Sequence, residues 1–100
     1  RKSLVALPDG FELQPNYPNP FNAQTLIPYQ LPRRARVELT IFSVSGQRVR
    51  RLVGEVLEPG TYTASWDGRN ESGQAVGTGV YLLRMRAGGF ARTRRLALIK

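Results

Sequence analysis

Side chains able to do chemistry are few in this sequence, and the missing types are as informative as those present. The 100 residues include no His and no Cys. That removes imidazole bases, thiol nucleophiles, disulfides and zinc sites built on either ligand. Seven carboxylates remain, scattered so that only Asp67 and Glu71 share a loop. With Asn70 they make a weak candidate Ca²⁺ site of oxygen ligands, the donors hard cations take. The same three residues suffice for a polar turn before Val76, because Asp-Gly and Asn favour such turns unaided. The turn is the preferred reading, and no catalytic residue, metal or cofactor is expected.

What is abundant is cationic. Fifteen Lys and Arg against seven Asp and Glu give a net charge of +8. Taken alone, that balance points to a polyanionic partner. The spacing argues otherwise: Arg34 and Arg36, Arg48 and Arg50, Arg84 and Arg86, and Arg92 and Arg94 each sit two apart, the period of one strand face. They are read as a solvated outer sheet face that discourages edge-to-edge pairing, with binding of an anionic surface polysaccharide as the second reading. Nucleic acid is not expected, because no reading motif or set of stacking aromatics accompanies the arginines. Trp66 follows Tyr62 and Ala64 in strict alternation, which makes it a core plug with its indole N–H bonded internally rather than a sugar platform. Phe42 and Phe90 are the aromatics expected to be most exposed, and they leave a carbohydrate-binding module as a minor alternative.

The elements that position these side chains are strands. Ten glycines and seven prolines leave little room for helices, and the interval from Pro32 to Gly46 alternates Val37, Leu39 and Ile41 with Glu38 and Thr40. TLIPYQL places Ile27, Tyr29 and Leu31 on one face, with Pro28 predicting an edge strand or a proline N turned to solvent. RVRRLVGEVL is expected to be interrupted at Gly54 by a turn or bulge. VYLLRMRA turns Tyr81, Leu83 and Met85 inward and Arg84 and Arg86 outward. FARTRRLALIK closes the chain, with a bulge expected at Arg94 and Arg95. Ser45-Gly46 and Gly88-Gly89 are turn signals, the second a two-residue hairpin. Six strands, and a seventh around Phe11 to Leu13, predict an antiparallel two-sheet sandwich of about seven strands. Ile27, Tyr29, Leu39, Ile41, Trp66 and Leu83 are its expected core.

A 41% apolar share in 100 residues is enough for one core in one domain. No run of about 18 apolar residues is present to span a membrane as a helix. Residues 1–10 lack the long apolar stretch and cleavage site of a signal peptide. Together with the missing initial Met, this reads as a linker remnant of an excised fragment, ahead of one domain over 11–100. Any export signal would then lie upstream.

The segment FELQPNYPNPFN is the most specific in the chain. Pro15, Pro18 and Pro20 fix φ, while Asn16, Asn19 and Asn22 can bond nearby backbone. They predict a rigid, extended strap, with Tyr17 and Phe21 dropping onto the sandwich to hold it. QPNYPNPFNAQTLIPYQLP resembles the opening of the type A C-terminal sorting domains of the type IX secretion system, and of the related immunoglobulin-like domain of the flagellar hook-capping protein. The resemblance continues through ARVELTIFSVSGQRVRRLV, with Gly46 and Val49, and through EPGTYTASWDGRNESGQAVGTGVYLLRM, with Gly60, Trp66, Gly68, Gly73, Gly79 and Tyr81. It ends at TRRLALIK. Ala23-Gln24 and Thr78 depart from the usual Pro-Ser and small residue at those places.

This resemblance implies an immunoglobulin-like fold and a role without a reaction: a C-terminal module that directs secretion of a larger exported protein across the outer membrane and its attachment to the cell surface. The residues it implies for recognition are Asn16, Tyr17, Pro18, Asn19, Pro20, Phe21, Asn22, Gly79, Tyr81, Leu96, Leu98 and Lys100. The implied partners are the outer-membrane translocon and its cleavage and attachment machinery, met by a monomer that passes through the periplasm to the surface. A purely structural spacer or scaffold, like the hook-capping domain, is the alternative. The last strand is expected to offer a free edge for β-addition to a receptor.

Overall fold

Alternation of apolar and polar residues sets the architecture. The computed structural model describes residues 7–100, which form seven strands and no helix: β1 Glu12–Leu13, β2 Thr25–Leu31, β3 Ala35–Ser43, β4 Arg48–Leu57, β5 Gly60–Trp66, β6 Gly79–Ala87 and β7 Phe90–Leu98. They pair antiparallel in two sheets, of order β1-β2-β5 and β4-β3-β6-β7. This is an immunoglobulin-like sandwich. Residues 1–6, and with them most of the expected linker, lie outside the described residues.

The inner faces meet over one core. Ile27, Tyr29 and Leu31 of β2 oppose Val37, Leu39 and Ile41 of β3, Leu83 and Met85 of β6, and Leu96 and Leu98 of β7, all buried. Trp66, buried at the end of β5, donates its indole N–H to the Arg69 carbonyl at 2.9 Å. Tyr29 and Tyr62 are cross-strand partners whose rings stack at 5.5 Å. Burial, then the nearby Tyr62 and Glu55, push the Tyr29 phenol up to about 12. Both residues of the Gly88–Gly89 turn have positive φ, +50° and +82°, as a two-residue hairpin requires.

Several strand details depart from expectation. β2 is the central strand of its sheet. Its Pro28 is tolerated because the missing donor would point at short β1, where only the Pro28 carbonyl is used, accepting from Gln14 N–H at 3.0 Å. Gly54 does not interrupt β4. It pairs with Glu38, and a Cβ there would stand 2.8 Å from Arg51 Nε, so the glycine leaves the path along which Arg51 reaches Glu38 at 3.7 Å. The irregularities of β4 fall instead at Leu52 and Val49, the residues skipped in its register with β3. Skipping Val49 puts Arg48 opposite Phe42 and Arg50 opposite Ile41, on different faces despite their spacing of two.

β7 has no bulge: its register with β6 runs unbroken from Phe90 to Leu98. Arg94 shares the inward face of Leu96 and Leu98, and its Nε donates to the Leu13 carbonyl at 2.7 Å. The apparent slip is an inward cation with a backbone partner. Arg92, opposite Met85, has the same parity. Among the paired arginines, Arg36, Arg48, Arg84 and Arg86 therefore stand on the outer face.

Candidate functional site

The feature that sequence singled out, the strap over 14–22, is built from backbone and amide hydrogen bonds. The Tyr17–Pro18 and Asn19–Pro20 peptide bonds are cis. Tyr17 pairs with Leu26 through both backbone bonds, at 2.8 and 2.9 Å. Asn16 is buried, and its Nδ2 donates to Thr25 Oγ1 at 2.9 Å and to the Pro18 carbonyl at 3.4 Å. Thr25 Oγ1 in turn donates to the same carbonyl at 2.9 Å. A closed polar knot thus satisfies the groups buried where the strap bends.

Beyond this knot the strap runs beside β7. Asn19 Oδ1 accepts from Ala97 N–H at 3.0 Å, and its Nδ2 donates to the Arg95 carbonyl at 3.4 Å. Phe21 N–H donates to the Ala97 carbonyl and the Phe21 carbonyl accepts from Ile99 N–H, both at 2.9 Å, in a parallel bridge. Asn22 Nδ2 donates to the Ile99 carbonyl at 3.3 Å. With the Arg94–Leu13 bond, these contacts join segments 76 to 81 positions apart in sequence. The Phe21 ring is fully buried, 5.5 Å from Trp66, whose other neighbour Tyr81 lies edge-on at 5.3 Å. Gly68, at φ +74°, completes this corner; a Cβ there would lie 3.4 Å from Leu98.

The structure brings together one part of the residue set implied for recognition and separates another. Asn19, Phe21, Asn22, Leu96 and Leu98 share the seam between strap and β7, whereas the backbone N–H of Lys100 donates to Thr78 Oγ1 at 3.0 Å, ahead of β6 and away from the strap. Pro18 and Pro20 are exposed beside it. Gly79 opens β6, and Tyr81 has its hydroxyl bonded to the Gly77 carbonyl at 2.6 Å and its phenol pushed up by burial. Two expectations fail. Tyr17 does not drop onto the sandwich; at 53% exposed it is the most open aromatic, because its backbone, not its ring, is what the sheet holds. Nor does β7 present a fully free edge. Its C-terminal half is closed by the strap, and alternation leaves only the backbone groups of Ala91 and Thr93 on the open part.

The other candidates take definite places. Asp67 Oδ1 accepts from Arg69 N–H at 3.1 Å and from Arg50 Nη1 at 3.4 Å. Asn70 Oδ1 accepts from Ser72 and Gln74 N–H, each at 3.0 Å, and Glu71 Oε2 from Arg51 N–H at 3.0 Å. These oxygens serve the turn and the edge of β4, and among the described residues no group of three or more His, Cys, Asp or Glu is placed to hold a metal ion. Phe42 and Phe90 are half-covered: the Arg84 guanidinium lies 4.6 Å from the Phe42 ring centre, and Phe90 stacks on Phe11 at 5.7 Å.

Comparison with known proteins agrees with this architecture. The family model described as FlgD Ig-like domain matches residues 20–89. A solved structure from Porphyromonas gingivalis, described as PorZ, an essential bacterial surface component of the type IX secretion system, aligns with a TM-score of 0.60 and 20% identity. That alignment covers 92% of this chain and 12% of PorZ. Dimeric latent PorU of the same organism aligns with a TM-score of 0.72 and 17% identity, over 98% of this chain and 10% of PorU. The chain thus spans about a tenth of the solved chains it resembles, and at these identities the likeness is one of fold. No curated protein matches the chain.

Proposed function

The chain belongs to the FlgD Ig-like domain family, and from that premise we propose that it is a non-catalytic module that addresses a larger exported protein across the outer membrane and to the cell surface. The observation that carries the reading lies at the limits of the family match. Residues 20–89 match, whereas most of the strap and all of β7 fall outside, and those two segments are tied to one another. A plain scaffold needs its sheets; this chain adds a composite seam with exposed Pro18, Asn19 and Pro20 along it. The motif that resembles the type IX sorting domains is the same motif that makes the seam. The fold likeness to PorZ, a surface component of that system, is in keeping with this role.

In this reading the seam is what the outer-membrane translocon inspects. Asn19, Phe21 and Asn22 shape it from behind, and Tyr17 and the prolines face outward. The test keeps the fold intact, because removing β7 would also remove core residues Leu96 and Leu98. A passenger with an inner-membrane export signal is fused ahead of this chain in a host with a type IX system. A parallel fusion carries the Ig-like domain of a flagellar hook-capping protein. The passenger is expected at the surface or in the medium with this chain, and in the periplasm with the control. Periplasmic retention of a fusion whose domain resists proteolysis would reduce the module to a spacer.

A further inference from the structure

The outer face of the four-stranded sheet carries a charge pattern that the seam does not use. Register places Arg36, Glu38, Thr40 and Phe42 of β3 beside Arg84 and Arg86 of β6, Arg48 and Arg51 of β4, and Arg95 of β7. Six arginines thus share the face with a single carboxylate, Glu38, which already accepts from Arg36 at 3.0 Å and meets Arg51 at 3.7 Å. Arg48, Arg84, Arg86 and Arg95 have no ion-pair partner among the described residues. Thr40, flanked in register by Arg51 and Arg84, is 94% shielded even though it lies on the outer face, where only other side chains can cover it. Side chains on this face repeat at about 6.7 Å along a strand and about 4.8 Å between strands, which makes a grid of forked donors.

Toward the Gly88–Gly89 turn the grid opens into a groove of about 520 Å³. Arg36, Glu38, Arg84 and Arg86 line it together with the hairpin tip, residues 88–91. That volume is in the range of small-molecule and sugar sites, which run from about 300 to 1,000 Å³. Its mix of three guanidinium groups and one carboxylate can bind acidic substituents and accept from hydroxyls.

We infer that this face binds an anionic polysaccharide, with an acidic sugar unit seated in the groove and the chain continuing across Arg84, Arg51, Arg95 and Arg48. Two rival polyanions fit the face less well. Single-stranded nucleic acid needs exposed aromatic platforms, and the two aromatics here are covered, Phe42 by Arg84 and Phe90 by its stack on Phe11. An acidic protein needs a packed apolar anchor near the centre of its interface. This centre is Thr40 among arginines, and the exposed Val44, Val56 and Val80 stand at the margins. The inference rests on the proposed export only for where such a polymer would be met; binding is a property of the isolated chain.

The experiment compares the 100-residue chain with a triple variant, R84Q/R86Q/R95Q, and a charge-matched control, R34Q/R69Q/R92Q, whose arginines lie off this face. Calorimetry or affinity electrophoresis at about 50 mM salt, where screening is incomplete, uses dextran sulfate, polygalacturonate, neutral dextran, poly-glutamate and a thymidine oligonucleotide. The unaltered chain should bind dextran sulfate or polygalacturonate and not dextran. The triple variant should lose about tenfold in affinity, since exposed ionic contacts are individually weak but additive when separate; the control should lose less than about threefold. Circular dichroism must show the same sheet in all three. Equal losses in both variants, no binding of either anionic polysaccharide, or tighter binding of poly-glutamate or the oligonucleotide would each overturn the inference. Secretion of a passenger carrying the triple variant separates the two proposals: normal export with lost polysaccharide binding upholds both, whereas normal export with retained binding confines the fault to this one.

Discussion

Replacing Phe21 by Ala tests whether the strap belongs to the core or merely lies on it. The side chain is 1% exposed and packs on Trp66 at a centroid distance of 5.5 Å, under Gly68 and beside Leu98. An aromatic side chain buries roughly 150 Å² or more, which at about 25 cal/mol per Å² is about 4 kcal/mol. Measured Phe→Ala changes in cores, cavity included, run at about 3–5 kcal/mol. A domain of this size has about 5–15 kcal/mol in all, so the variant should unfold at a much lower urea concentration with an unchanged slope. Asn19→Ala is the companion. It removes the exposed acceptor for Ala97 N–H, should cost only about 1 kcal/mol, and should speed hydrogen exchange at Ala97 while core amides change little. A Phe21→Ala cost below about 1.5 kcal/mol, with the core amides still protected, would show the ring to be a surface cover and refute the integrated seam.

Three further outcomes follow from the same contacts. The folded-state pKa of Tyr29 is raised to about 12, so the neutral phenol is favoured by folding. Its contribution is complete below the unfolded value of about 10 and is lost as pH rises through about 12, amounting to at most about 3 kcal/mol; alkaline urea titrations of Tyr29→Phe should lack that part of the decline. Asn16→Ala breaks the buried knot around Thr25 Oγ1 and the Pro18 carbonyl and should cost about 1–3 kcal/mol in equilibrium unfolding, part of it recovered by adding Thr25→Val. Gly88→Ala must place a Cβ 3.0 Å from the Phe11 ring at φ +50° and should lower stability by about 1 kcal/mol or more, while Gly89→Asn, with open space at its Cβ and a side chain tolerant of positive φ, should cost less by thermal denaturation.

Sequence carries strand parity well and strand neighbours poorly. The alternation of Val37, Leu39 and Ile41, or of Ile27, Tyr29 and Leu31, has one physical solution when one face is buried, and those residues are buried. Pro28 reads as an edge signal because a proline lacks a donor, yet where that donor would have gone depends on which strand lies alongside. Here that neighbour is the two-residue β1. The arginines show the same limit. A spacing of two means one face only if no residue is skipped, and Val49 is skipped between Arg48 and Arg50. Arg94 mimics a slipped register because its partner, the Leu13 carbonyl, lies 81 positions away. The strap's residue types announce local hydrogen bonding, and Asn16 does bond locally to Pro18. That Asn19 and Asn22 reach β7 instead is a matter of tertiary placement, which no local pattern encodes.

The seam has a property that a linear motif lacks. Its two sides come from opposite ends of the domain, so it is complete only where β7 is paired in the sheet and Phe21 is packed against Trp66. Closing so long a loop is entropically costly and is offset only by the core that forms with it. An address read at such a place is withheld from an unfolded or truncated chain even though every motif residue is present. The strap also answers a hazard. β7 is an edge, and an unprotected edge invites pairing with other chains; by bonding Arg95, Ala97 and Ile99, the strap leaves only the stretch around Ala91 and Thr93 open, next to Arg92 and the arginine grid. Edge protection and the proposed recognition thus converge on one strand: the half that is sealed presents a defined shape, and the half that is open is guarded by charge.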